Sequence, residues 1–144
     1  MSFMVTPVPV VVDASVAVDL AIGERPETPL AVRRWIDEGR MLLAPAVAWT
    51  EMGHAILRRL DGDAIRASRR LEQVEATGLE TADRGPAGVR MAMVLAQRHG
   101  LSVYDASYLW LAIDVDGELA TLDRALARAA GAEGVPLALE LPAA

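Results

Sequence analysis

The chain has 144 residues, 53% of them hydrophobic and 24% charged, with a net charge of −6 and no cysteine. That balance excludes a disordered chain, and the lack of thiols excludes disulfides and thiolate metal sites. All 14 basic residues are arginines, which excludes the lysine-bearing phosphate cradle of P-loop NTPases and phosphotransfer sites that set a lysine beside an aspartate.

No apolar run approaches the ~18 residues of a membrane helix. No basic region precedes the first apolar stretch, so a secretion signal is not expected and a cytoplasmic protein is. The acidic balance argues against a generic nucleic-acid coat.

Residues 1–7 read as a loose lead-in. Val8-Pro9-Val10-Val11-Val12 is β-branched and too short for a helix, so it reads as a buried strand. It runs into Asp13, and a short helix follows from Ser15 to Ala21. Gly23 to Pro29 is a turn-rich connection. Leu30 to Glu38 has helical spacing and stops at Gly39. Met41 to Ala44 is a second strand ended by Pro45. Ala46 to Leu60 is a helix, broken by Asp61-Gly62-Asp63.

An amphipathic helix spans Ala64 to Ala76, and Leu79 to Ala82 is a third strand. After a turn at Arg84-Gly85-Pro86, Val89 to Arg98 is helical and Gly100 closes it. Ala106 to Asp114 is a helix, Glu118 to Thr121 a fourth strand, and Asp123 to Ala130 a helix. Val135 to Leu139 is a last edge strand weakened by Pro136. The alternation predicts a single domain over residues 1–144, a three-layer α/β/α sandwich around a mostly parallel sheet.

In such sheets ligands gather beyond the carboxyl ends of the strands. Asp13, Glu51, Asp105 and Asp123 all fall there. Hard divalent cations take oxygen ligands, and such an ion lowers the pKa of a bound water and stabilises a leaving oxygen. Without one, clustered carboxylates repel and take up protons. Each acid also has a plain structural alternative: Asp105 and Asp123 as N-caps, Asp13 as a turn or capping residue, Glu51 as a surface residue.

Four segments carry a resemblance: Val11-Val12-Asp13-Ala14-Ser15, Trp49-Thr50-Glu51-Met52-Gly53-His54, Tyr104-Asp105-Ala106-Ser107-Tyr108, and Ala120-Thr121-Leu122-Asp123-Arg124-Ala125-Leu126. In this order they resemble the PIN-domain ribonucleases, most of all the VapC toxins of bacterial toxin–antitoxin pairs. The resemblance implies an endoribonuclease dependent on Mg²⁺ or Mn²⁺, a homodimer, and a cognate antitoxin whose tail blocks the site, with an arginine placed among the carboxylates. It makes Asp13, Glu51, Asp105 and Asp123 the catalytic and metal-holding quartet, with Ser15 and Thr121 as supporting hydroxyls. Where the family often has asparagine three residues after its glutamate, this chain has His54, which either supports the site or is a helix-face histidine.

Arg58, Arg59, Arg69 and Arg70 are candidate RNA contacts or a solvated helix face. Trp35, Trp49, Trp110, Tyr104 and Tyr108 could stack bases, though Trp35 and Trp110 read as core or dimer surface, and the helix face around Trp35 and Ile36 as a partner surface. His99 reads as structural at a helix end. Asp19, Asp114 and Asp116 read as surface or turn residues, Asp116 with an outside chance of joining the acidic edge. Two rivals stand beside the nuclease: a catalytically silent module acting through its partner, and a metal phosphatase for small molecules.

Overall fold

A computed structural model describes residues 6–143. Its elements run β1 (Val10–Val12), α1 (Ala14–Ile22), α2 (Glu27–Asp37), β2 (Leu42–Ala44), α3 (Ala48–Arg59), α4 (Ala64–Glu75), β3 (Glu80–Thr81), α5 (Gly85–His99), α6 (Val103–Asp114), β4 (Glu118–Ala120) and α7 (Arg124–Ala132). The strands form one sheet in the order β3-β2-β1-β4, and every pair is parallel. Val10, Val11 and Val12 are all buried, as a central parallel strand covered on both faces requires. Helices α1 to α4 pack among themselves, and α5 packs on α6, which also meets α7, β1 and β4. This is the α/β/α sandwich expected from the alternation of elements.

Register decides the position of the site. Val12 stands opposite Ala120, and the Asp13 N–H donates to the Ala120 carbonyl at 2.9 Å. The chain therefore leaves β1 at Asp13 directly beside Thr121. At the opposite edge Arg40 fastens the same strands, donating to the Val8 carbonyl at 2.7 Å and to Glu118 Oε1 at 2.6 Å. Trp35, Met52, Ile56, Tyr108, Leu109 and Leu119 have no exposed surface and fill the core between the layers.

Several boundaries differ from the sequence expectations, each for a local reason. Helix α2 begins at Glu27 rather than Leu30, since Pro29 lies in the first turn, where its missing N–H is no loss. Helix α5 begins at Gly85 rather than Val89, with Pro86 in its first turn. There Gly85 has φ +62°, and its N–H donates to Asp83 Oδ1 at 2.8 Å. The expected Val135–Leu139 strand reduces to one parallel bridge between Leu119 and Leu137, because Pro136 has no N–H for the ladder.

Trp35 is buried core and offers nothing to a partner; of the apolar residues of α2, Leu30 and Ile36 are exposed. Asp19 is not a surface residue: it is 6% exposed and accepts a hydrogen bond from Thr28 Oγ1 at 2.5 Å. Asp116, at φ +52°, turns the chain at the start of β4, the edge away from the other acids. Gly117 must be glycine at that turn, since a Cβ would lie 2.8 Å from the Pro9 carbonyl oxygen. Among the described residues no helix is long and apolar enough to cross a membrane.

Candidate active site

Asp13 occupies the N-cap position of α1 in an extended conformation, yet its side chain caps nothing. Its Oδ2 instead accepts from Ser15 Oγ at 2.7 Å and from Thr121 Oγ1 at 2.8 Å. Both hydroxyls are used twice. Ser15 Oγ accepts from the Leu122 N–H at 3.0 Å, and Thr121 Oγ1 accepts from the Asp123 N–H at 3.0 Å. Asp13 is thus seated by one hydroxyl from its own helix and one from the neighbouring strand end. Burial pushes its pKa up, against the pull of the two hydroxyls; the charge of Asp105 adds to the rise.

Glu51 lies in the first turn of α3. The hydroxyl of the fully buried Tyr108 donates to its Oε1 at 2.9 Å. Its pKa is also raised, first by burial and then by Asp13 and Asp105. Asp105 lies in the first turn of α6, and its pKa is raised by burial and by Asp123. Pairwise, then, Asp105 influences Asp13, both influence Glu51, and Asp123 influences Asp105, so the four acids share one electrostatic neighbourhood. Asp123 is the N-cap of α7, its Oδ1 accepting from the N–H groups of Ala125 at 2.8 Å and Leu126 at 3.2 Å.

Asp105 is not an N-cap. Ser102 caps α6, accepting from the Asp105 N–H at 3.0 Å. Serine caps as well as aspartate does, and its position one turn earlier leaves the Asp105 carboxylate unused by the backbone.

None of the ion pairs among the described residues involves Asp13, Glu51, Asp105 or Asp123. No three Asp, Glu or His side chains among the described residues close on one point tightly enough to enclose an ion. An all-oxygen set of carboxylates without a basic partner suits a hard divalent cation. The open arrangement suits one that keeps several waters and takes only one or two carboxylates directly.

Beside the carboxylates runs a groove of about 500 Å³, lined among others by Ser15, Asp19, Arg25, Glu51, His54 and Arg59. His54 is exposed in this groove and makes no side-chain hydrogen bond among those found. The candidate RNA contacts separate: Arg59 lines the groove and pairs with Glu24, Arg70 donates to the Ala21 carbonyl at 3.4 Å, and Arg58 and Arg69 are exposed on helix faces. Tyr104 is 59% exposed, whereas Tyr108 serves Glu51 and cannot stack a base. His99 is structural, within 2.6 Å of Glu133; with Arg98 it holds that carboxyl below its usual range. A separate cavity of about 230 Å³ lies between the ends of β2 and β3 and helices α5 and α6, and carries none of the four acids.

Sequence reasoning gave Tyr108 the wrong role, base stacking, and passed over Arg25 in the groove lining. Tyr108 had a signal, since it follows Asp105 by three residues and so shares its helix face. Arg25 had none, lying in a connection that reads only as a turn.

The sequence pattern of the PIN domain matches residues 10–132. Over 132 residues the chain is 31% identical to Ribonuclease VapC1 of Mycobacterium tuberculosis, covering 91% of this chain and 96% of that protein. The fold superposes on the crystal structure of PAE2754 from Pyrobaculum aerophilum with a TM-score of 0.66 and 27% identity, over 85% of this chain and 79% of the other. It superposes on a toxin–antitoxin complex from Klebsiella pneumoniae with a TM-score of 0.65 at 20% identity, over 92% and 99% of the two chains; at that identity the likeness is one of fold. A parallel sheet with acids at its carboxyl edge, a family pattern over most of the chain and a full-length relative agree: the chain belongs to the PIN domain family, among the VapC ribonucleases.

Proposed function

We propose that this protein is a metal-dependent endoribonuclease, the toxin of a toxin–antitoxin pair, and that Asp13, Glu51, Asp105 and Asp123 carry its chemistry. The observation behind the assignment is Asp13, buried at a strand end, seated by two hydroxyls and surrounded by acids with no basic partner. Asp13, Asp105 and Asp123 would hold Mg²⁺ or Mn²⁺, directly or through water. When bound, the ion supplies a Lewis acid for the phosphate and a more acidic water.

Ser15 and Thr121 keep the Asp13 carboxylate in one orientation. Tyr108 does the same for Glu51, which completes the ligand set or orients the attacking water. Attack in line with the 3′ oxygen breaks the P–O3′ bond and leaves 5′-phosphate and 3′-hydroxyl ends. RNA as substrate, a cognate antitoxin and a second copy of the chain as partners, and a cytoplasmic location belong to the same proposal. VapC naming of the full-length relative and the toxin–antitoxin complex of the same fold support it.

The test is partner-free protein incubated with total bacterial RNA in Mg²⁺, in Mn²⁺ and in EDTA, beside the Asp13→Asn variant. Discrete metal-dependent fragments, absent with the variant, are expected. Intact RNA in every lane, with the fold verified by circular dichroism, would overturn the assignment.

A further inference from the structure

A net charge of −6 and an acidic edge oppose the approach of RNA, so the backbone flanking the cut needs a local cationic hold. The groove beside the quartet offers one. Glu51 and Ser15 form part of its lining, and Arg25 and Arg59 line it as well.

Arg25 comes from the α1–α2 connection and is half-buried. Its guanidinium is in none of the ion pairs or side-chain hydrogen bonds found among the described residues. It also lines a second cavity of about 330 Å³ toward residues 139–143, so it stands at the wall between two openings. A guanidinium that faces these openings and has no ion pair among the described residues is free to take an anion.

Arg59, at the end of α3, has Glu24 as partner, but both side chains are about half exposed. Such a pair is weak and exchangeable. Leu122, between Thr121 and Asp123 of the site, lines the groove too, so the space is continuous with the carboxylates.

We propose that Arg25 and Arg59 hold the RNA backbone phosphate next to the one that is cut, with Arg59 exchanging Glu24 for that phosphate when RNA enters. The assignment rests on the ribonuclease reading above. It separates the arginines by role: Arg25 and Arg59 touch the strand, whereas Arg58, Arg69 and Arg70 do not. The ligand is an RNA backbone phosphodiester, since the groove opens beside a site whose proposed reaction is on such a bond.

The experiment uses a fluorescent single-stranded RNA and the full chain carrying Asp105→Asn, so that binding is read in Mg²⁺ without cutting. Anisotropy is measured across a salt series for Arg25→Ala, Arg59→Ala and Arg69→Ala, each checked by circular dichroism. Arg25→Ala and Arg59→Ala are each expected to weaken binding about two- to fivefold and to lower the log–log salt slope by about 0.7. Arg69→Ala should change neither. Glu24→Gln should tighten binding. Unchanged affinity and slope in Arg25→Ala and Arg59→Ala, or an equal loss in Arg69→Ala, would overturn the proposal. RNA cleavage by the unaltered chain is scored separately, so a ribonuclease with a different strand path is distinguished from a protein that is no ribonuclease.

Discussion

At the β1–α1 junction Asp13 stands at the N-cap position and caps nothing; at the β4–α7 junction Asp123 stands at the same position and caps two N–H groups. Both follow a strand and precede a helix rich in alanine. The difference lies in what else reaches the carboxylate. Asp13 is met by Ser15 and by Thr121 from the neighbouring strand, and is buried. The Asp123 carboxylate accepts hydrogen bonds from its own helix while its charge reaches Asp105. The same residue in the same local frame is thus a buried carboxylate seated by two hydroxyls in one place and a helix cap beside another acid in the other. Tertiary neighbours assign the roles, and Thr121 serves both junctions at once.

The sharpest way to break this comparison is to neutralise each acid without changing its shape. Asp13→Asn should lower RNA cleavage by more than about 10²-fold, since the carboxylate proposed to hold the ion would lose its charge. Asp123→Asn should also lower cleavage but keep its stability, since asparagine caps as well, whereas Asp123→Ala should cost about 1 kcal/mol in a denaturant titration. Equal stability losses for Asp123→Asn and Asp123→Ala would show that the cap is idle.

Next comes Tyr108→Phe, which removes only the hydroxyl serving Glu51. Cleavage should fall about 10- to 100-fold, the range for groups that orient a metal site. The variant should have no further effect when Glu51 is already Gln; an undiminished effect there would assign Tyr108 to packing alone. Thr121→Val is expected to cost about 1–3 kcal/mol, because a buried donor–acceptor is lost from both junctions. A cost near zero would mean that the junctions are not coupled.

The smallest effect is in pH. The pKa values of Asp13, Glu51 and Asp105 are raised in the folded chain, so the native state binds protons more readily than the unfolded one. Their protonated forms therefore favour the fold: the contribution is fully present below the unfolded values and is lost as pH rises through the folded ones. In EDTA, Tm should rise as pH is lowered from neutrality toward the ordinary carboxylate range, and Mg²⁺ should flatten that rise by competing with protons. Glu133, held low by Arg98 and His99, works the other way, and its contribution is lost as pH falls below its ordinary value of 4.5. A Tm that falls steadily from neutral pH would contradict the raised values.

Much of the fold was readable from residue order alone, because each strand is a short apolar run and most helices end at glycine or a polar turn. The edges that escaped were those opened by proline, at Pro29 and Pro86, where one residue signals both a turn and a first helical turn. The four acids stood out together in the sequence because Asp13 and Asp123 follow strands and Glu51 and Asp105 lie near helix starts. Their separate duties did not. Which of Asp13, Asp105 and Asp123 caps a helix depends on Ser102, Ser15 and Thr121, and on a strand pairing that brings together residues far apart in the chain. Asp19 was misread for the same reason, since nothing near it in sequence announces Thr28 as its partner.

That pairing has a consequence for the order in which the protein is made. Asp13 and Thr121 are 108 positions apart, and β1 has no β4 beside it until residues 118–120 have been synthesised. A nascent chain that stops short of β4 already contains Asp13, Glu51 and Asp105. It lacks the hydroxyl that seats Asp13 and the strand that aligns it, so the acids stay unassembled. Long-range parallel pairing is among the slower events in folding. The acidic edge therefore forms only after β4 has been made.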